Sequence, residues 1–261
     1  MVELVSVKKE AGIALVTIDN PPVNALSRKV LEELASVFAN LEDDPGANVV
    51  ILTGAGNRAF VAGGDIKSFP KRLNMKKSEL KLSNMENHEI YNQLANFPKP
   101  TIAFLNGYTF GGGCELALTC DIRIAEEQVQ LGLPEVKLGL FPGGGGTQRL
   151  PRLIGEAKAK ELMFTGEAIS ASEAKEIGLV NQVVPEGEGL QASYTVAKKM
   201  VNHSLQALSR IKRVINEGAE LPLSSGLELE AEEFASIFQT QDVREGVQAF
   251  LEKRKPNFQH R

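Results

Sequence analysis

The stretch GYTFGGGCELALTCD, Gly107 to Asp121, decides how the chain is read. Three consecutive glycines, Gly111 to Gly113, open a run that otherwise wants to be a buried helix, and Glu115 follows among small or apolar neighbours. Glycine costs a helix interior up to about 1 kcal/mol relative to alanine, and an uncompensated buried carboxylate costs far more. Local stability does not account for the pattern. It makes sense if the glycines present backbone N–H groups to a reacting oxygen, with Glu115 as one of two carboxyls serving it.

Outward from this stretch the chain alternates strand and helix patterns. TIAFLNG precedes it as a strand, after a segment that Pro98 and Pro100 terminate, and DIRIAEE (Asp121 to Glu127) follows it as another. Further upstream are GIALVTI (Gly12 to Ile18), a helix from about Ser27 to Leu41, and NVVILTG (Asn48 to Gly54). The order predicts an α/β fold. The polar segment 67–97 is expected to end as a helix on the stripe Met85, Tyr91, Leu94, Phe97, with KRLNMKKSELK as its mobile part. Downstream, FPGGGGTQRL reads as a turn into a helix, and everything beyond about Gln191 reads as helical. There Leu227, Phe234 and Phe238, then Val243, Val247 and Phe250, recur at helical spacing. Such stripes must be buried, either on the chain's own core or between subunits.

Composition excludes several classes. With 261 residues, 43% of them hydrophobic, the chain can bury a large core. Its 29 basic and 33 acidic residues leave a net charge of −4, which offers no general attraction for nucleic acid or an anionic membrane. Cys114 and Cys120 form no CxxC pair, and no signal peptide or long apolar run is present, so a reduced, cytoplasmic protein is expected.

The glycine-rich stretches fail the phosphate-loop test, since none ends in Gly-Lys-Ser/Thr and GGGGTQ lacks the strand and ribose acid of a dinucleotide site. No Gly-x-Ser-x-Gly is present, and His88, His203 and His260 form no zinc motif; no metal is expected. Two places remain where a strand runs into glycines and then a helix start. One is AFVAGGDIKSF, with Asp65 as an N-cap after Gly64, and the other is the opening stretch. Tight turns alone would explain one such site; two, the second followed by an acid, point to oxyanion donors. A second acid, Glu135, sits in LGLPEVKLG behind the stiff Pro134. Two carboxyls whose environments separate their pKa values can divide general acid and general base work.

Taken together, PPVNALS, AFVAGGDI, KPTIAFLNGYTFGGGCELALTCDIRIA, LGLPEVKLGLFPGGGGTQRLPRLIG, TGEAISASEAKEIGLVNQVV and REGVQAFLEKRKP closely resemble the crotonase superfamily, the enoyl-CoA hydratase and isomerase family, over nearly the whole chain. The resemblance implies a spiral of strand-strand-helix repeats over 1–190 with the acyl-CoA site, and a C-terminal helical trimerisation region over 191–261, assembled as a trimer or a dimer of trimers. It implies an oxyanion hole from the N–H groups of Gly64 and Gly112, with Glu115 deprotonating water and Glu135 protonating the α-carbon of a 2-enoyl-CoA. Coenzyme A enters as part of the substrate, and no other cofactor is implied. Its adenine would lie against Ala62, Gly63, Gly64, Asp65 and Ile66 and its pantetheine near Ala25 and Leu26, while Arg28, Lys67, Lys253 and Lys255 are candidates for its phosphates. Cys114, between an oxyanion glycine and an acid, is read as packing and not as a nucleophile.

Both acids favour hydration over double-bond isomerisation, which uses one principal carboxylate, while a hydratase for branched, methylglutaconyl-type substrates stays open. Of a different class are a non-catalytic acyl-CoA binder, which the intact acids oppose, and an RNA-binding relative, which the lack of a dense basic patch opposes.

Overall fold

The computed structural model describes residues 3–260. Among them run the strands β1 (Val5–Glu10), β2 (Ile13–Ile18), β3 (Val49–Gly54), β4 (Ala59–Val61), β5 (Thr101–Leu105), β6 (Tyr108–Phe110), β7 (Ile122–Glu126), β8 (Gln130–Gly132), β9 (Ile169–Ser170) and β10 (Gln182–Val184). They form two sheets, ordered β1-β2-β3-β5-β7-β10 and β4-β6-β8-β9. Only β1–β2 and β8–β9 pair antiparallel. Each circuit of the chain lays one strand in each sheet, β3 then β4, β5 then β6, β7 then β8, before a helix carries it back. This is the strand-strand-helix spiral that the resemblance implied.

The sequence makes these elements for local reasons. All six residues of β3 are buried, as a parallel strand covered on both faces requires. The helix Arg28–Glu42 is capped by Ser27, whose hydroxyl accepts from the Val30 N–H, and it buries Val30, Leu31, Leu34, Phe38 and Leu41 at helical intervals. Phe38 meets Phe97 edge-on with ring centroids 5.0 Å apart. Burying a side chain of that size contributes roughly 1.5–3 kcal/mol.

The polar segment differs in detail from its expected form. Its helix spans Lys77–Ala95, so Phe97 is buried just past the helix end and Met85 is largely exposed. Of the stretch expected to be mobile, the part from Lys77 belongs to this helix, and Arg72 ends a short helix Phe69–Arg72. The Lys99 ammonium donates to the carbonyls of Leu41, in the last turn of the first long helix, and of Asp44, just beyond its end.

Near the C-terminus the helix Gly189–Val201 sets Ala197 on the second face of the large sheet, against Ile13, Ile51, Ile102, Phe104 and Ile124. The boundary read at 190/191 falls inside this helix. Beyond it lie the helices Leu205–Gly218, Leu223–Ile237 and Gln241–Leu251. Leu227, Phe234, Phe238, Val247 and Phe250 are all exposed on them, Phe250 to 82%, so the chain's own core does not cover these residues. Asp242 ties this region together: its carboxylate accepts from the Ser204 hydroxyl and from the N–H groups of Gln259 and His260.

Candidate active site

The short helix Gly112–Ala117 follows β6 directly. Gly113 is required by close approach, because a side chain there would collide with the Val61 carbonyl of β4. At the other end of the helix the buried Arg123 guanidinium donates to the carbonyls of Ala117, Cys120 and Leu179. A cation beyond the last turn satisfies orphan carbonyls and suits the helix field. The helix is therefore fixed at both ends, with Glu115 in its first turn.

Glu115 is only 4% exposed, yet its carboxylate is held. Oε1 accepts from the Gly144 N–H at 2.7 Å and the Gly146 N–H at 2.8 Å. A Cβ on Gly144 would lie 2.6 Å from Oε2 and one on Gly146 would lie 3.0 Å from Oε1, so the turn closes on the acid only because these positions are glycine. Burial pushes the Glu115 carboxyl above its ordinary range, against the pull of the two N–H groups and the Arg149 charge.

Glu135 stands in the single-turn 3-10 helix Pro134–Leu138, where Pro134 starts the turn and Gly139 ends it in the left-handed region. Its carboxylate lies over Gly111, where a Cβ would be 2.8 Å from Oε1, and its buried Oε2 has no hydrogen-bond partner. Burial first, and the neighbouring Glu115 charge to a smaller extent, push this carboxyl up to about 7. One acid is thus anchored by two donors and the other is left with a free oxygen. Such a pair can hold one proton between them near neutrality.

The two glycine turns meet. Leu26 N–H donates to Gly63 O and Asp65 N–H to Leu26 O, a parallel bridge that directs the Gly64 N–H away from Leu26. A Cβ on Gly112 would sit 3.6 Å from that nitrogen, and space above Gly64 is open. The Gly112 N–H begins its helix and has no intrahelical acceptor. Asp65 caps the turn as expected, accepting from the Lys67 N–H. Tyr91, on the helix Lys77–Ala95, is buried beside both glycine clusters, and its hydroxyl donates to Gly112 O at 3.4 Å.

The structure thus brings Ala25, Leu26, Ala62, Gly63, Gly64, Asp65, Gly112, Glu115 and Glu135 to one region, with Ile66 and Lys67 exposed at its rim. Arg28 is paired with Glu32 at 2.7 Å and Glu86 at 3.1 Å. Lys253 and Lys255 are exposed on the terminal segment. Cys114 is buried and its thiol is pushed up to about 12, which suits packing and not nucleophilic attack. Sequence reasoning missed Gly144, Gly146, Tyr91 and Arg149. The GGGG run reads by itself only as a candidate phosphate loop, while the anion it serves is the buried acid 29 and 31 residues upstream of its two donors.

The family model for enoyl-CoA hydratase/isomerase matches residues 8–261. A short-chain-enoyl-CoA hydratase of Clostridium acetobutylicum is 42% identical over 252 residues, covering 96% of this chain and 95% of that one. A crotonyl-CoA hydratase of Syntrophomonas wolfei is 40% identical over 257 residues, 98% of each chain. The crystal structure of an enoyl-CoA hydratase from Bacillus anthracis superposes with a TM-score of 0.93 at 39% identity, covering 99% of this chain and all of that one.

Proposed function

Because this chain belongs to the enoyl-CoA hydratase/isomerase family, within the crotonase superfamily, we propose that it is a hydro-lyase that adds water across the double bond of a short-chain 2-enoyl-CoA to give the 3-hydroxyacyl-CoA. The observation that carries the reading is the unequal treatment of the two neighbouring carboxyls, one held by two N–H groups and the other left with an unpartnered oxygen. Glu115, oriented by Gly144 and Gly146, holds water through its second oxygen and takes its proton as the C–O bond forms at the β-carbon. The electron pair of the double bond shifts toward the thioester oxygen, which the N–H groups of Gly64 and Gly112 stabilise as an oxyanion hole. Glu135, protonated near neutrality, delivers its proton to the α-carbon, and the proton on Glu115 returns to Glu135 between turnovers. Donors of this kind contribute about 3–4 kcal/mol each in a closed site.

The bridge between Leu26 and Gly64 brings the proposed pantetheine and adenine segments side by side, with Arg28, Lys67, Lys253 and Lys255 as the cations for the phosphates. No metal or further cofactor is needed, since two carboxyls and two backbone donors supply every step. The exposed stripe of Leu227, Phe234, Phe238, Val247 and Phe250 supports a trimer or a dimer of trimers in which these faces are covered. Buried free cysteines fit a reducing, cytoplasmic compartment. Purified protein is expected to hydrate crotonyl-CoA in the presence of a chelator; absence of turnover on every enoyl-CoA offered, short, long or branched, would overturn the reading. Sedimentation of the intact protein as a stable monomer would overturn the assembly, and truncation after Asp242 is expected to give smaller or aggregated species.

A further inference from the structure

The turn that orients Glu115 contains Gly143, Gly144, Gly145 and Gly146, and a run of glycines has no side chains to make it rigid. Something else must hold it. Asn84 fixes one end by donating to Gly143 O at 3.1 Å. Arg149 spans the rest: its Nη1 donates to Gly144 O at 3.3 Å, its backbone N–H donates to Gly145 O at 2.8 Å, and its Nη2 donates to Asn92 Oδ1 at 2.7 Å, which ties the turn to the helix carrying Tyr91. The guanidinium lies directly against Gly145, which is in the left-handed region at φ 107°.

Among the described residues no carboxylate is in ion-pair contact with Arg149, although it is partly buried. Its charge faces Glu115 and Tyr91 on the inner side. Outside, a cleft of about 280 Å³ adds His88, Arg152 and Glu220, the last two paired with each other at 3.2 Å. Around Glu115 itself the other titratable groups are Tyr91, Cys114 and Glu135. Among the described residues, Arg149 is therefore the one cation of the groups that act on this carboxyl.

We propose that Arg149 is a positioning residue for Glu115: it locks the glycine turn that grips the carboxylate and supplies the positive charge that faces it. The inference rests on the hydratase reading. Glu115 must be ionised to accept a proton from water, and a cation favours the ionised form. Removing the charge raises the pKa of the carboxyl, so as pH falls activity is lost earlier, and the acid limb of the rate profile moves to higher pH. The limbs belong to the Glu115–Glu135 pair as a whole.

The test is the pH dependence of crotonyl-CoA hydration by the full-length protein and by Arg149→Gln, Arg149→Lys and Asn92→Ala. Arg149→Gln is expected to lower kcat on the order of 10²-fold through misplacement of the base, with an acid limb shifted upward. Its KM should stay within about twofold, because the substrate-binding groups are untouched. Arg149→Lys should keep the limb in place and recover only part of kcat, since an ammonium lacks the fork that joins Gly144 to Asn92. Asn92→Ala should lower kcat with the limb unmoved. An Arg149→Gln limb that coincides with that of the parent protein would overturn the proposal, whatever its kcat. If that variant does not fold, full kcat in Asn92→Ala, or a shifted limb in Arg149→Lys, overturns it instead. A parent protein inert toward every enoyl-CoA would strike the hydratase reading and leave these outcomes unmistakably separate.

Discussion

The turn Gly143 to Gly146 and the turn Pro134–Leu138 each serve one glutamate, and they do so in opposite ways. The first offers two N–H groups to Glu115 and, across them, a guanidinium. The second is a stiff, proline-started platform that aims Glu135 and leaves its Oε2 without a partner. Burial alone would push both carboxyls the same way, toward the neutral form. The difference teaches that hydrogen bonds separate two acids that burial treats alike: in the proposed reaction the anchored acid is suited to act as the base, and the orphaned one to keep the proton.

The largest expected effect comes from removing either acid. Glu115→Gln and Glu135→Gln should each cut kcat roughly 10²–10⁴-fold while affinity for a 3-hydroxyacyl-CoA stays nearly constant. If only one substitution harms hydration, the division of labour is broken and an isomerase-like, single-acid chemistry takes its place.

Next in size is Gly144→Ala, which drives a methyl toward Oε2 of Glu115. We expect a loss on the order of 10²-fold in kcat from displacement of the base. An alanine variant with parent kcat would show that the turn is not what orients Glu115.

A smaller effect separates the acids by pH. Glu135 acts as a donor only when protonated, and its carboxyl is pushed up to about 7, so kcat/KM should decline as pH rises through that value. A profile flat from pH 6 to pH 9 would break the comparison.

Smallest is a gain in stability. A carboxyl with a raised folded-state pKa binds more protons folded than unfolded between 4.5 and about 7, so it lowers stability progressively as pH rises across that window. Glu135→Gln should therefore stabilise the protein at pH 8 by on the order of 2 kcal/mol, with allowance for partial solvent contact, and by much less at pH 4. Denaturant melts at the two pH values would measure it, and equal gains at both would contradict the assignment.

Much of this is legible in the sequence alone. Alternating strand and helix patterns gave the α/β class, and Ser27 and Asp65 announced their helix starts. Glu115 and Glu135 stood out because a buried acid after glycines and an acid behind a proline are locally unexplained. What could not be read was long-range. The partner of Glu115 lies 29 and 31 residues away, and nothing in the local pattern of GGGGTQRL says which anion it meets. Tyr91 registers only as one member of an apolar stripe, and its contact with Gly112, 21 residues away, depends on how the helix Lys77–Ala95 is placed by tertiary packing. Phe97 fits the helical stripe by spacing but is buried from the loop, because the helix ends at Ala95 and the following Pro98 disfavours a helical conformation at Phe97, whose ring still packs on Phe38.

The pairing of β4 with β6 has a metrical consequence. Gly64 comes three residues after the end of β4 and Gly112 two after the end of β6, so the proposed donors issue from adjacent parallel strands on successive circuits of the chain. Neighbouring strands are held about 4.8 Å apart by the peptide hydrogen bond itself. The gauge of the proposed thioester grip is then inherited from the sheet ladder and not from any side chain. Glu135 hangs on a separate turn and Glu115 is oriented by another, so either acid can be replaced while the ruler between the two amides stays the same length.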